Sequence, residues 1–414
     1  MLKFAVIGFG ARGQLYAKLF EKHKETELVA VCDPNADRFI CAKQDFHLTD
    51  SQCYSDEKDF FSSGKIADLL IISSLDQNHY AHAIKAIELG YDILLEKPIA
   101  TTIAECKNIY RKAVEKGIQV YICYVLRFAP FFYHTKILLD SGKFGKIANI
   151  NLTENVGYWH QAHSYVRGNW RNDKISTPMI IAKCCHDLDI LCWLMNDKAL
   201  SVSSIGNNMF FNSDNAPEDC AKYCFECKYN HSCPYECSHF YKKYPWWLAQ
   251  VGIYLGDWED KDSIEKCLTD KNNPYSRCVF HCDNDVVDHQ VLNISYTSGA
   301  TATLTMTAFS NDTDRELHIH CTCGEIYGKM SENKLTYHIF GKEHDIINFD
   351  TKTDVEGHGG GDGVMIDNIV EVYSKNTKHL RNSIEGALQS HILGFAAEKS
   401  RQQKGKKISI ETMS

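Results

Sequence analysis

Apolar runs and amphipathic stretches alternate along the first 124 residues. KFAVIGFG (3–10) reads as a buried strand running into a turn, and Leu15, Leu19 and Phe20 give 12–24 a helical spacing. A second strand, ELVAVCD (27–33), precedes a helix over 35–45. DLLIISS (68–74) is the next buried strand, and the helix after it, NHYAHAIKAIELG, stops at Gly90. YDILLE (91–96), a helix over 102–116 and IQVYICY (118–124) complete the series. Strands rich in Ile, Leu and Val, each followed by a helix, require right-handed crossovers. They predict a doubly wound parallel sheet covered on both faces, an α/β Rossmann domain over residues 1–124.

From residue 125 the rhythm changes. IANINLTENVGYW, QVLNISYTSGATATLTMTAF, ELHIHC, KLTYHIF and DIINFD alternate polar with apolar or are β-branched, with turn residues between them. They predict an α+β domain over 125–414 with one large, mostly antiparallel open sheet. Helices are expected at 129–141, 185–195, 364–375 and 383–401, and an irregular cysteine-rich insertion at about 212–285.

Charge narrows the partners. With 45 Lys and Arg against 53 Asp and Glu the net charge is −8, and no long basic run offers itself to a nucleic acid or an anionic membrane. No stretch approaches the ~20 apolar residues that span a bilayer. MLKFAVIGFG reads as a first strand rather than a signal peptide, so a cytoplasmic protein is expected.

The first turn carries chemistry. Gly8, Gly10 and Gly13 in GFGARG stand in G-x-G-x-x-G spacing between a strand and a helix. Glycines there permit a tight turn and a close approach to pyrophosphate, which the helix N-terminus then attracts. The second strand ends at Asp33, where a carboxylate accepts both hydroxyls of an adenosine ribose and repels a 2′-phosphate. No Arg adjoins Asp33, Arg38 being a few residues on, so NAD is expected over NADP. Another strand ends in Glu96-Lys97-Pro98. Pro98 biases Lys97 towards extended backbone and so aims its side chain beyond the carboxyl end of the sheet, where ligands of such sheets bind. Near a cationic nicotinamide a partly desolvated lysine has a lowered pKa and can exchange a proton with a substrate hydroxyl, with Glu96 orienting it.

GFGARG, Asp33, SSLDQNHYAHA (73–83) and LEKPIA (95–100) together resemble the Gfo/Idh/MocA oxidoreductases, the glucose–fructose oxidoreductase and inositol dehydrogenase family. The resemblance implies Lys97 as the catalytic or substrate-polarising group and His79 beside the cofactor. It fills out the cofactor set with Phe9, Ala11, Arg12, Ser73, Ser74 and Glu96. It also implies a helix in the second domain bearing D-x-x-x-H. In IIAKCCHDLDILCWL (180–194) His186 fits the histidine, but Ala182 holds the aspartate's place. Lys183, on nearly the same helical face, or Asp187 is the candidate replacement.

Residues 157–172, GYWHQAHSYVRGNWRN, concentrate aromatic rings that stack on sugar C–H surfaces with groups that donate to hydroxyls. His163, Tyr165, Arg167 and Trp170 are the substrate candidates there, with Arg127 beside them. EGHGGGDG (356–363) adds His358 and Asp362 on a loop whose glycines allow a close approach. Five cysteines crowd into residues 220–237. Cys224-x2-Cys227-x5-Cys233-x3-Cys237 is a candidate structural zinc site, with Cys278 or Cys282 as alternative ligand. The functional expectation is hydride transfer between NAD and a secondary alcohol of a sugar, cyclitol or sugar derivative. The alternative is a redox-neutral glycosidase that oxidises its sugar transiently and re-reduces it. A homodimer or homotetramer is expected from the open sheet face.

Overall fold

The Val, Ile and Leu runs of the first domain become strands because helices cover both of their faces. In the computed structural model, which describes residues 1–250, 260–343, 345–348, 358–375 and 381–413, they form one sheet. Its strands are β1 (Leu2–Ile7), β2 (Thr26–Cys32), β3 (Cys53–Tyr54), β4 (Leu69–Ile72), β5 (Asp92–Leu95) and β6 (Val120–Ile122), in the order β3-β2-β1-β4-β5-β6. Every neighbouring pair is parallel. The order reverses between β1 and β4, which opens a crevice at their carboxyl ends. Gly8, Ser73 and Lys97 follow β1, β4 and β5 at that rim.

The second sheet contains β7 (Ile147–Asn155), β8 (Ala199–Asn207), β9 (His289–Tyr296), β10 (Thr301–Thr307), β11 (Asp314–Cys321), β12 (Gly324–Lys329), β13 (Lys334–Ile339), β14 (Asp345–Asn348) and β15 (Ile408–Ser409). Their order is β14-β13-β12-β11-β7-β10-β9-β8-β15, antiparallel except for the central pair β7 and β10. Period-two alternation buries Ile150, Leu152, Leu292, Leu304, Leu317 and Ile319 on one face. There they pack with Leu188 and Leu191 of the helix Cys185–Met195 and with Leu393 and Ala396 of the helix Ile384–Gln402. The other face leaves Ile205, Val291 and Tyr327 exposed.

The last two helices return to the first domain. Met365, Ile366 and Ile369 of the helix Gly361–Lys375 join Phe4, Tyr16 and Tyr121 in one core. Asn382 exchanges two 2.9 Å hydrogen bonds with Ile122 of β6, one through its carbonyl and one through its side-chain amide. His391 accepts from Ile99 N at 2.9 Å, just past the Glu-Lys-Pro corner. Among the described residues no helix is long and apolar enough to cross a membrane.

Candidate active site

The glycine turn is built for a bound group rather than for a side chain. Gly8 has φ +86°, and a Cβ there would lie 2.4 Å from Ser74 N. A Cβ on Gly13 would lie 2.4 Å from Gly8 O. Ser73 Oγ donates to that same carbonyl at 2.8 Å, locking the turn. The helix Ala11–Glu21 opens behind it with no side-chain cap, so its first N–H groups are left for an anion. Phe9 turns its ring into the core against Phe46 and contributes backbone only. This cradle fits the diphosphate of a dinucleotide. At the ribose end, Asp33 accepts from Asn35 N at 2.9 Å and from Arg38 Nη1 at 2.6 Å. The expectation that no arginine stands beside Asp33 is therefore corrected: the helix Arg38–Phe46 starts close enough for Arg38 to fold back over Gly10 and neutralise the carboxylate.

At the end of β5, Glu96 is buried and saturated. It accepts from Arg12 Nε at 2.7 Å, from Tyr16 Oη at 2.7 Å and from Lys97 N at 2.9 Å. Burial alone would raise its pKa, but Arg12 and Lys97 outweigh that and hold it below the usual carboxylate value. Arg12 also pairs with Asp362, whose second oxygen lies 2.9 Å from His358 Nδ1. Arg12 thus joins the glycine-turn helix by ion pairs to Glu96, which holds the backbone N–H of Lys97, and to Asp362 of the last helices. Asp362 is held well below its ordinary pKa because Arg12 and His358 overcome its burial. Gly361 is required beside it, since a Cβ there would sit 2.1 Å from Val125 O. Glu356 and Gly357 of the same loop lie outside the described residues. His79 is fixed through both ring nitrogens, 2.7 Å from Pro98 O and 3.0 Å from Ser74 O.

Lys97 reaches across the cleft, where its Nζ donates to Ala182 O at 2.9 Å. The helix expected at 185–195 is Cys185–Met195, but the turn before it, Met179–Ala182, is a separate piece ending at Lys183 with φ −112°, so no continuous helical face joins Lys183 to His186. Lys183 therefore leaves the face expected for it and approaches Glu154 of β7, Nζ to Oε1 at 3.3 Å. Arg315 bridges the same group, with Nε donating to Asp187 Oδ1 at 2.7 Å. Its Nη2 lies 2.7 Å from Glu154 Oε2, an ion pair without hydrogen-bond alignment. Burial, reinforced by Asp187, pushes Glu154 up to about 7 against the pull of Arg315 and Lys183.

His186 stands at the centre of this group, buried between the rings of Tyr124 and His358 at 5.8 and 5.4 Å. Neither of its ring nitrogens has a hydrogen-bond partner among the described residues. Burial first, and then the charges of Lys97, His358, Arg315 and Lys183, hold its pKa well below the ordinary value, so the ring is neutral.

The wall supplied by 157–172 is arranged differently from expectation. His163 stacks on Tyr275 at 4.8 Å with its Nδ1 2.7 Å from Tyr241 Oη. Arg167 donates to Arg277 O and Tyr235 O, both at 2.7 Å, and to Cys224 Sγ at 3.6 Å. Both point into the insertion because residues Gln161–Arg167 form a π-helix that turns them away from Lys97. Arg127 is likewise committed, donating to both oxygens of Asp189 at 2.6 and 2.7 Å. Tyr165 and Trp170 remain near the cleft: Trp170 Nε1 donates to Asp76 Oδ1 of the first domain at 3.3 Å, and Tyr165 packs 5.8 Å from the ring of His160. His160 is the residue that the sequence reading passed over. Its ring also lies 5.6 Å from that of Trp247, and burial, then Lys183, His163 and Lys97, push its pKa well down. The one signal available was that His160 lies three positions before His163 in the same aromatic run. A separate cavity of about 250 Å³, bordered by Tyr158, Trp159, Phe240 and Asp312, opens on the other side of this wall and includes neither Lys97 nor His186.

In the insertion, Cys220 rather than Cys233 or Cys237 is central. Its Sγ lies 3.4 Å from Cys278 Sγ and 3.9 Å from Cys227 Sγ. Cys237 turns to Glu236, and Cys282 donates to Cys278 O. Cys224 is drawn down to about 6 by its contact with Cys237 and by Arg167.

A dinucleotide cradle at a Rossmann switch point, facing a polar site on an open-sheet domain, defines an NAD-binding oxidoreductase of two-domain architecture. The chain belongs to the Gfo/Idh/MocA oxidoreductase family: residues 2–124 match its NAD-binding Rossmann fold and residues 136–410 its C-terminal alpha/beta domain. It is 22% identical to the YteT protein of Bacillus subtilis (strain 168) over 358 residues, 83% of this chain and 82% of that one. Over 204 residues it is 28% identical to the inositol 2-dehydrogenase/D-chiro-inositol 3-dehydrogenase of Lacticaseibacillus casei, which covers 49% of this chain and 55% of that enzyme. An Agrobacterium radiobacter oxidoreductase, solved with NAD+, L-tartaric acid and magnesium, shares the fold with a TM-score of 0.72 at 15% identity, over 100% of this chain and 99% of that one.

Proposed function

We propose that the protein is an NAD-dependent dehydrogenase for a secondary alcohol of a sugar, cyclitol or sugar derivative. The observation that carries this reading is Lys97 of one domain bonded across the cleft to Ala182 O, four residues before the unpartnered His186 of the other. The inositol dehydrogenase relative supports the substrate class. Gly8, Gly10 and Gly13 would cradle the diphosphate, and Asp33 would take the ribose hydroxyls, favouring NAD even with Arg38 beside it. Bound NAD would supply the hydride acceptor. Lys97 Nζ holds the substrate hydroxyl and takes its proton, and a ring nitrogen of His186 accepts or returns a hydrogen bond at the same oxygen. His160, Tyr165 and Trp170 form the wall against which the sugar rests. Lys183, turned to Glu154, leaves the place of the family's aspartate to the apolar Ala182.

The test is net NADH formation on mixing with a panel of sugars, sugar acids and cyclitols. Lys97→Ala is expected to lower kcat by ~10²-fold or more; near-unchanged turnover would remove Lys97 from the chemistry. A redox-neutral glycosidase is the second reading, favoured by Ala182 and by His358 lying 5.4 Å from His186. It requires glycoside cleavage without added cofactor and without net NADH. On either reading a zinc ion in the insertion is structural and takes no part in hydride transfer. The exposed sheet face is the surface on which a dimer or tetramer would form.

A further inference from the structure

The cysteine-rich insertion lies outside the machinery of hydride transfer, yet its thiols converge. Cys220, Cys224, Cys227 and Cys278 line one cavity of about 20 Å³, together with Cys233. That volume holds little more than one water-sized sphere, for which a single site needs ~10–15 Å³. The walls offer sulfur and apolar carbon, from Pro217 and Phe280, so water would find few partners there. Cys224, Cys227 and Cys278 are buried.

The spacing between the sulfurs is informative. Four sulfurs at ~2.3 Å from a common centre in a tetrahedron lie ~3.8 Å apart. The observed separations around Cys220 are 3.4 and 3.9 Å, close to that edge and far from the ~2.05 Å of a disulfide. The contact from Cys220 to Cys278 joins segments 58 residues apart in the chain. A small apolar cluster lies on each side: Phe211, Val279 and Phe280 on one, Tyr241, Ile264 and Leu268 on the other. Neither is large enough to fix so long an insertion unaided. Arg167 Nη2, 3.6 Å from Cys224 Sγ, is placed as the N–H donor that commonly supports a metal-bound thiolate.

We propose that Cys220, Cys227 and Cys278, joined by Cys224 on exchanging its present contacts with Glu236 and Cys237 for the metal, bind a single thiophilic divalent cation, zinc, which cross-links the insertion and, through Arg167, fixes the π-helix that follows His160. This set differs from the one expected from spacing alone, replacing Cys233 and Cys237 with Cys220 and Cys278. Binding replaces the four thiol protons with the metal, so proton release accompanies loading.

The test uses the full-length protein purified without chelator, and its metal readout needs no catalytic activity. Elemental analysis should give one zinc per chain. A thiol-specific mercurial added to the wild-type protein should release that zinc stoichiometrically to a chromogenic chelator. Cys220→Ser and Cys278→Ser should lose the metal, whereas Cys233→Ser and Cys282→Ser should keep it. If the first two variants do not fold, the mercurial titration on wild type decides. Protein without metal, iron with acid-labile sulfide, a Cys220–Cys278 disulfide in a non-reducing mass map, or zinc retained in Cys220→Ser would each overturn the proposal. NADH binding, followed separately by fluorescence, tells failure of this site from failure of the oxidoreductase reading.

Discussion

His79 and His186 are both buried imidazoles at one cleft, and the two domains treat them oppositely. His79 has carbonyl partners at 2.7 and 3.0 Å on its two nitrogens. His186 has none, and Asp187 Oδ2 and Arg315 Nη2 beside it also lack aligned hydrogen bonds. Buried polar atoms in folded proteins are nearly always bonded, so a cluster of orphans marks a place where a polar ligand completes the structure. The Rossmann side is finished before anything binds. The sheet-domain side is left open in hydrogen-bonding terms.

Exchanging the two histidines' roles gives the largest expected effects. His186→Asn should lower kcat by ~10²-fold, the scale of a lost proton-handling group, while the melting temperature changes little, because one unpartnered polar side chain replaces another. A fall in stability with unchanged kcat would make His186 a packing residue. Asp33→Ser should next raise kcat/KM for NADP relative to NAD by roughly 10- to 100-fold. Arg38, freed from its 2.6 Å pairing, can then meet a 2′-phosphate with a charge-assisted bond of about 1.5–3 kcal/mol. An unchanged cofactor ratio would show that the ribose lies elsewhere. His79→Leu should cost about 1–3 kcal/mol in urea unfolding, since a buried imidazole N–H bond to a backbone carbonyl is lost, and should change kcat less than His186→Asn does.

The smallest effect is on acid stability. His163 is pushed down to about 3 by burial and then by Arg167. The native state keeps it neutral while the unfolded chain protonates it near its ordinary ~6.5, so the stability it carries is present above that value. That stability is lost as pH falls from ~6.5 towards 3, at up to ~1.4 kcal/mol per pH unit. His163→Phe should flatten the acid limb by one proton in denaturation curves measured at several pH values. An unchanged slope would mean that His163 titrates normally.

The Rossmann half was readable because each local signal agrees with the global one: buried strand, glycine turn, helix, acid at the second strand end. Lys97 was readable from its corner. The sheet domain was readable as strands, though not the parallel pair β7 and β10, which chain order alone does not dictate. His160 was missed because a π-helix changes the angle per residue, so the run from His160 to Arg167 cannot be phased by 3.6. The helix break at Lys183 was also missed. MIIAKCCHDLDILCWL has no Gly or Pro to announce it, and the break is stabilised by Glu154 from a strand some thirty residues upstream. Arg127 looked available only because Asp189, its bidentate partner, lies 62 residues further along.

Asn382 and Ser383 lie against β6, the last strand of the first sheet, and Asn382 bonds both the N–H and the carbonyl of Ile122. The final helices thereby shield a flank that would otherwise display open main-chain donors and acceptors. A fragment ending at Tyr124 would leave that flank bare, along with the apolar surface vacated by Met365 and Ile369, and is expected to polymerise or precipitate instead of folding as a separable module. Residues 361–402 thus cover surface that residues 1–124 cannot cover among themselves.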